Sequence, residues 1–302
     1  MKKKILTVFL TIYALFSALL FLFPTVLTIA NSFMSSTEIT SNYGMIFQNA
    51  SSDSSDSQNG SSGGKKFIAQ KVNLKLIPDK VTFSQYITSL FKSPEYLLKF
   101  WNSVILTVPI VIFQLAVASI ASYSFFRFRG RIKEIIFFLY IAIMLMPYQV
   151  MLVPNYLVAD KLGILGTRLS IILPGIFSPF SVFLLTKIMR RIPVSLIEAA
   201  RLDGAGEWQI FTQICMPLCK NALISVGMLV FIDYWNMVEQ PIIMLDDSEK
   251  YPLSVFLSEI NTGEIGIAFA VAVIYMIPTI LMFLYGEDYL VEGITYAGGV
   301  KG

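Results

Sequence analysis

Long apolar runs separated by short charged segments dominate the sequence. The first run covers residues 5–30, directly after three lysines, and is long enough to cross the roughly 30 Å hydrocarbon layer of a bilayer. Further runs of spanning length lie at about residues 101–126, 134–159, 169–186, 222–245 and 266–285. The pattern predicts an all-α membrane protein with six transmembrane helices.

One long hydrophilic stretch interrupts this pattern, between Glu38 and about Lys80. Its centre, SSDSSDSQNGSSGGKK, has a low-complexity composition that cannot bury a hydrophobic core. We therefore expect three parts: an N-terminal transmembrane helix (residues 1–34), an external loop with a disordered Ser-rich centre (35–100), and a five-helix core (101–302).

Clusters of cations predict the orientation of the helices. Arg127, Arg129, Arg131 and Lys133 follow the second run, and basic residues also follow the fourth run, just before residue 193. Because positive loops stay on the cytoplasmic side, both termini and residues 193–217 are expected to be cytoplasmic. The first cluster is either such a topology anchor or a patch for anionic lipids.

The composition narrows the function classes. Hydrophobic residues make up 55% of the chain and charged residues 14%, well below the roughly 25% charged of soluble domains. A net charge of +3 does not favour nucleic-acid binding, and the sequence has no histidine for a metal site or general base. Cys215 and Cys219 match neither a redox pair nor a zinc site, so no metal is expected.

Residues 193–217 are too polar to cross a bilayer. Pro193 precedes a predicted short helix, Val194 to Leu202, which Gly204 ends. A second helix is predicted from Glu207 to Met216, closed by Pro217, with an apolar stripe of Trp208, Phe211, Cys215, Ile210 and Ile214. Periodicity alone leaves open an amphipathic hairpin that lies on the membrane surface.

The order of residues in this stretch is more specific than its periodicity. Glu198-Ala199-Ala200, Asp203-Gly204-Ala205, Ile214 and Pro217 resemble the EAA loop of permease subunits of binding-protein-dependent ABC importers. The resemblance implies a cytoplasmic helix-turn-helix coupling loop that docks on an ATPase subunit. These eight residues, Glu198, Ala199, Ala200, Asp203, Gly204, Ala205, Ile214 and Pro217, are then the expected ATPase-coupling site.

Weaker matches extend from about Thr82 to the carboxyl end and resemble the carbohydrate-uptake branch of that family. They include Asn102-Ser103, Pro147-x-Gln149 and Trp235-Asn236. The resemblance implies a prokaryotic plasma-membrane complex with a second permease subunit, two ATPase subunits and an extracellular solute-binding protein. This chain would not itself be an enzyme and would hold no cofactor, because ATP and Mg²⁺ belong to the ATPase.

Polar residues inside the apolar runs are candidates for the solute pathway. An acidic residue at the bilayer centre is costly, so Asp233 is expected to face the protein interior or a wet cavity. Spacing on a continuous helix would put Asn236 and Gln240 on its face, beside Glu239, with Trp235 available for stacking. Pro147 predicts a kink near Tyr148 and Gln149. The alternative is that each polar group bonds a neighbouring helix.

The leading interpretation is import of a sugar or oligosaccharide. Where the family usually continues with a glutamate and then apolar or aromatic residues after Trp235-Asn236, this chain has Met237, Val238, Glu239 and Gln240. A peptide or cationic solute is therefore the alternative, since carboxylates attract cations. A membrane-embedded enzyme or a scaffold is a remote alternative.

Overall fold

The computed structural model describes residues 2–39, 41–42, 75–128, 130–259 and 265–298, where all regular structure is helical. The α-helices are α1 (Lys2–Asn31), α2 (Ser84–Ile87), α3 (Pro94–Arg127), α4 (Arg131–Met144), α5 (Tyr148–Lys161), α6 (Leu169–Ile176), α7 (Pro179–Met189), α8 (Val194–Leu202), α9 (Glu207–Gln209), α10 (Met216–Leu218), α11 (Lys220–Trp235), α12 (Glu239–Met244), α13 (Leu253–Ser258) and α14 (Ile265–Gly298). Two π-helical stretches, Thr88–Lys92 and Ile210–Cys215, and a 3-10 turn, Ser248–Lys250, lie between them. The predicted all-α fold class is confirmed, and the Ser-rich centre of the predicted loop lies outside the described residues.

Four helical segments of the described chain are long and apolar enough to span a membrane without a sharp bend. They are Leu6–Asn31, Pro94–Arg127, Leu169–Met189 and Gly266–Leu290. Two bent helix pairs bring the number to 6 if each pair is one span, which is the number that the hydrophobic pattern predicts. In the most apolar stretch of the first span none of the residues is buried inside the protein, as expected for apolar side chains that face lipid.

The chain forms two compact units, Met1–Leu98 with Phe256–Ile277, and Lys99–Val255 with Pro278–Gly302. In the first unit, the Ser32 hydroxyl lies 2.7 Å from the Tyr86 hydroxyl, and Gln85 Nε2 donates to the carbonyl of Met34. These bonds hold the segment after α1 against α2. The predicted division of the chain at residues 34 and 100 stays a prediction.

The second unit contains the main hydrophobic core. Side chains from α3, α5, α6, α7, α11 and α12 meet there, and the buried members are Leu106, Ile110, Ala118, Leu152, Ile171, Val182, Leu185, Ala222, Val226, Val230, Met237, Met244 and Leu245. Buried polar side chains add directional contacts: Gln114 Nε2 donates to Ser181 Oγ at 2.6 Å, and Ser122 Oγ donates to the Val182 carbonyl at 2.9 Å. These two bonds attach the second half of α3 to the first turn of α7.

The predicted kink at Pro147 is confirmed, and it is a full break. Helix α4 ends at Met144, α5 begins at Tyr148, and the two axes differ by 106°. Proline disfavours helical backbone in the residue before it and has no N–H to donate. Pro154, the second proline of this predicted span, lies inside α5 without ending it.

The prediction of one continuous helix over residues 222–245 is wrong. Helix α11 ends at Trp235, and α12 begins only at Glu239. Pro241 has no N–H with which to bond the carbonyl of Met237, and the Ser254 hydroxyl bonds that carbonyl instead, at 2.5 Å. Asp233, Asn236 and Gln240 therefore do not share one helix face.

The end of α11 is fixed by an aromatic cluster. The Trp235 ring is 1% exposed, stacks on Phe231 at 5.3 Å between centroids, and meets Phe100 edge-on at 5.7 Å. The sequence predicts that Trp235 offers a solute an accessible stacking surface. The structure corrects this prediction, because the Trp235 ring is already covered by Phe231 and Phe100.

Removing this ring is expected to destabilise the second unit. Trp235→Ala should lower the free energy of unfolding by about 3–5 kcal/mol, since it deletes a fully buried aromatic side chain. Thermal unfolding of the detergent-solubilised protein measures the effect. Trp208→Ala is the matched control: its ring is 67% exposed, so the loss should stay below about 1 kcal/mol. Equal losses for both variants would contradict the packing described here.

Candidate functional site

Residues 194–218 form a helical hairpin, as predicted. Pro193 directly precedes α8, and Gly204 follows its carboxyl end in the left-handed region, with φ at 87°. Glycine adopts this conformation without steric cost. The turn is closed by the amide of Ala205, which donates to the carbonyl of Ala200 at 2.9 Å, and by that of Gly204, which donates to the carbonyl of Arg201 at 3.0 Å.

The second half of the hairpin differs from the prediction. It runs from α9 through a π-helical stretch (Ile210–Cys215) into α10, so it passes Pro217 and ends at Leu218. Because a π-helical turn holds more residues than an α-helical turn, the predicted stripe is shifted. Ile210, Phe211 and Cys215 are buried, whereas Trp208 is exposed.

A small core of its own holds the hairpin together. Its buried members are Tyr123, Met189, Ile192, Ile197, Ile210, Phe211, Cys215 and Cys219. Tyr123 comes from α3 and Met189 from α7, so this core also attaches the hairpin to the spanning helices. Both cysteines are buried and free, and they pack inside this core.

The predicted coupling residues all lie on this hairpin. Glu198, Ala199, Asp203, Gly204 and Pro217 are exposed. Ala200, Ala205 and Ile214 are partly buried and pack against the hairpin core. The exposed members leave two carboxylates and the small Ala199 side chain open to a partner, and the other three pack between them and the hairpin core. A role in ATPase coupling stays a prediction.

Sequence reasoning missed a charged cluster at the base of the hairpin. The Glu207 carboxylate accepts hydrogen bonds from Tyr123 Oη at 2.6 Å and from Arg127 Nε at 3.2 Å, and Arg201 donates to its other oxygen. Tyr123 and Arg127 are one helical turn apart at the end of α3. Their spacing of four residues was readable in the sequence, but their partner lies 84 and 80 residues further on.

A cavity of about 520 Å³ lies in the second unit, at the other end of α11 from the hairpin. Its polar lining residues are Tyr148, Asn155, Ser170, Ser178, Asp233, Tyr234 and Gln240. Its apolar lining includes four methionines, Met144, Met146, Met151 and Met244, which adapt readily to irregular shapes. The breaks at Pro147 and after Trp235 bring Tyr148, Asp233 and Gln240 to this space.

The predicted pathway residues divide into two groups. Tyr148, Asp233 and Gln240 line the cavity, whereas Gln149, Trp235, Asn236 and Glu239 do not. Gln149 Nε2 donates to Glu239 at 3.4 Å, and Asn236 Nδ2 donates to the carbonyl of Ile232 at 2.7 Å. Both contacts match the alternative prediction, in which the polar groups bond the protein itself rather than a solute. Ser170 and Ser178 were not singled out from the sequence.

The fold and these two sites define a multi-pass helical membrane protein with a structured hairpin and a polar internal cavity. Residues 87–295 match the family of binding-protein-dependent transport system inner membrane components. The chain belongs to this family. It is therefore a transport-system permease component, as the resemblance of residues 193–217 implied.

Relatives in this family include named transport permeases. The lactose transport system permease protein LacG of Rhizobium radiobacter is 29% identical over 75% of this chain and 85% of its own length. The arabinooligosaccharides transport system permease protein AraQ of Halalkalibacterium halodurans is 28% identical over the full length of both chains. AraQ of Bacillus subtilis is 32% identical over 76% of this chain and 83% of its own.

A solved structure has the same fold. A chain of a bacterial ABC transporter involved in the import of the acidic polysaccharide alginate superposes with a TM-score of 0.76, at 23% sequence identity. The match covers 95% of this chain and 97% of that chain. The similarity extends over nearly the whole fold.

Proposed function

We propose that this chain is the transmembrane permease subunit of an ATP-driven importer for a sugar or oligosaccharide. One observation carries the proposal: helix α11 begins at the exposed hairpin and ends at the polar cavity. Its 16 residues span about 24 Å as a rigid α-helix. Displacement of the hairpin by a partner would thus be passed directly to Asp233 and its neighbours.

The ATP-binding chemistry belongs to other subunits in this proposal. Two ATPase subunits bind ATP and Mg²⁺, and one of them docks on the exposed face around Glu198 and Gly204 and moves the hairpin. A second permease subunit completes the pathway, and an extracellular solute-binding protein delivers the solute. The hairpin and both termini then lie on the cytoplasmic side of a prokaryotic plasma membrane, in agreement with the cations that follow α3 and α7.

The residues that line the cavity favour a polyhydroxylated solute. Carboxylate, amide and hydroxyl groups of Asp233, Gln240 and Ser178 supply acceptors and donors, while the Tyr148 ring adds a flat surface. The named relatives carry lactose and arabinooligosaccharides in their names, which supports the same solute class here. A cationic solute is the second candidate, because Asp233 is an acidic residue among the lining residues and no Lys or Arg is among them.

A panel of labelled solutes separates the two candidates. Cells that lack this chain should lose uptake of one oligosaccharide and regain it when the chain is restored, with uptake of cationic peptides unchanged throughout. A control strain carries the chain with the charge-reversing substitution Glu198→Lys. Loss of cationic-peptide uptake alone would favour the second candidate, and unchanged uptake of every solute would contradict the transport proposal.

A further inference from the structure

The contact between Glu207 and the end of α3 is a network of charged hydrogen bonds and not only apolar packing. One carboxylate is shared by three donors from two elements: Tyr123 and Arg127 on α3, and Arg201 on α8. The Tyr123 hydroxyl also lies 3.3 Å from the backbone carbonyl of Glu207, the first residue of α9. The two halves of the hairpin and the end of α3 therefore meet at one side chain.

The surroundings make this contact well defined. Tyr123 is 8% exposed, and its ring lies 5.1 Å from that of Phe211 in the hairpin core. Hydrogen bonds to a charged group are stronger than neutral ones, and shielding from water strengthens them further. A salt bridge on an open surface contributes little, and the Arg201 and Glu207 side chains are 45% and 39% exposed. The buried Tyr123 phenol and the Arg127 side chain, which is 22% exposed, shield the α3 side of the network.

The balance of charge shows why a carboxylate is needed here. Two guanidinium groups, from Arg127 and Arg201, face one acidic side chain. Without the negative charge of Glu207, these two cations would lie close together with no counter-ion between them, and they would repel each other. The uncharged amide of glutamine has the same shape but cannot hold both.

Helix α3 continues from this contact into the main core. Its Ser122 and Gln114 side chains bond α7, and its Leu106 and Ile110 side chains are buried in the core that includes α11 and α12. The hairpin is thus connected to three spanning helices. The chain links it to α7 through residues 190–193 and to α11 through Cys219, and the Glu207 network links it to α3.

We propose that Glu207 is a positioning residue that makes the hairpin and α3 move as one body during transport. The inference rests on the proposed function, in which an ATPase displaces the hairpin. With the network intact, the displacement reaches the core through α3 and α11 together. Without it, α3 is held to the hairpin only by packing in the hairpin core, and opening of the pathway is less tightly tied to ATP hydrolysis.

The test uses the complete transporter reconstituted in lipid vesicles, with solute transported per ATP hydrolysed as the readout. Glu207→Gln should keep the ATPase subunits bound and ATP hydrolysis measurable, but lower transport per ATP about tenfold. Tyr123→Phe, which removes one donor from the α3 side, should give a smaller loss in the same direction. Glu249→Gln, at an exposed carboxylate outside the hairpin, is the matched control and should transport as the unmodified protein does.

A double substitution tests whether Arg127 and Glu207 act through one shared interaction or through independent local effects. Arg127→Gln combined with Glu207→Gln should be no worse than Glu207→Gln alone, because both remove the same interaction. Normal transport per ATP in Glu207→Gln would overturn the proposal, and so would release of the ATPase by that variant, since Glu207 would then belong to the docking surface. If the unmodified chain binds no ATPase, the proposed function itself fails, which is a distinct result.

Discussion

Gly204→Thr is expected to reduce solute uptake by about tenfold or more while the amount of chain in the membrane stays the same. A Cβ at this position would meet no atom within 4 Å, so the effect does not come from a clash. It comes from the backbone, because φ is 87° and an L-residue in the left-handed region costs roughly 1–2 kcal/mol, more when it is β-branched. Relaxation of this strain would move the exposed face around Glu198 and Asp203.

A second glycine of the same turn provides the matched control. Gly206 has φ at −74° and ψ at 164°, which any residue adopts, and a Cβ there would meet only the Gln209 side chain, at 3.9 Å. Threonine is about as good as glycine at the start of a helix. Gly206→Thr should therefore leave uptake within about twofold of normal. Equal effects of the two substitutions would show that the left-handed turn is not what uptake requires.

The charge-reversing substitution Glu198→Lys is expected to match Gly204→Thr in uptake without affecting folding. The Glu198 side chain is exposed on α8, so the hairpin core does not depend on it. Parallel loss of uptake in the two variants, with normal membrane levels, places the defect at the hairpin surface.

Asp233→Leu is expected to cause the second large loss of uptake, because it removes a charged acceptor from the cavity. A hydrogen bond to a charged group contributes about 1.5–3 kcal/mol, which corresponds to roughly a tenfold to 150-fold loss. Asp233→Asn keeps a hydrogen-bonding group of the same size and should lose less than about threefold if the solute is a neutral sugar. Initial uptake rates of the labelled solute measure both variants.

The two variants Asp233→Leu and Asp233→Asn also distinguish a neutral sugar from a cationic solute. If the solute is cationic, Asp233→Asn should lose as much uptake as Asp233→Leu, because the charge itself is what binds. Asp160→Leu, at an exposed carboxylate on α5 that is not among the cavity-lining residues, is the control and should transport normally. Normal uptake by Asp233→Leu would remove this residue from the pathway.

Features that depend on neighbouring residues were predictable from the sequence. Helix α8 lies over Val194–Leu202 as expected, because a proline before it and a glycine after it define its ends locally. The break near Pro147 was also readable, since proline acts on its own helix. Apolar runs of spanning length located α1, α3 and α14 for the same reason.

Features that depend on distant residues were not predictable. The end of α11 at Trp235 requires Ser254, 17 residues after Met237, to bond the carbonyl that Pro241 leaves unpaired. A search for helical periodicity treats residues 222–245 as one run and cannot detect this bond. The same limit applies to Glu207, whose partners on α3 lie about eighty residues earlier in the chain.

The orientation of Trp208 illustrates a different limit. An α-helical period places Trp208 with Phe211 and Cys215 on one apolar stripe. The π-helical stretch Ile210–Cys215 changes the angle per residue, so the stripe keeps Phe211 and Cys215 and leaves Trp208 exposed. A pattern search with a fixed period of 3.6 residues does not include this possibility.

The most direct test of the importer proposal is gentle extraction of this chain from its native membrane, followed by identification of every co-purifying protein and assay of ATP hydrolysis. The expected result is a complex with an ATPase and a second permease, active in ATP hydrolysis, from which Gly204→Thr or Glu198→Lys releases the ATPase. Recovery of the chain alone and without ATPase activity, with the variants behaving like the unmodified protein, would contradict a coupling role for the hairpin.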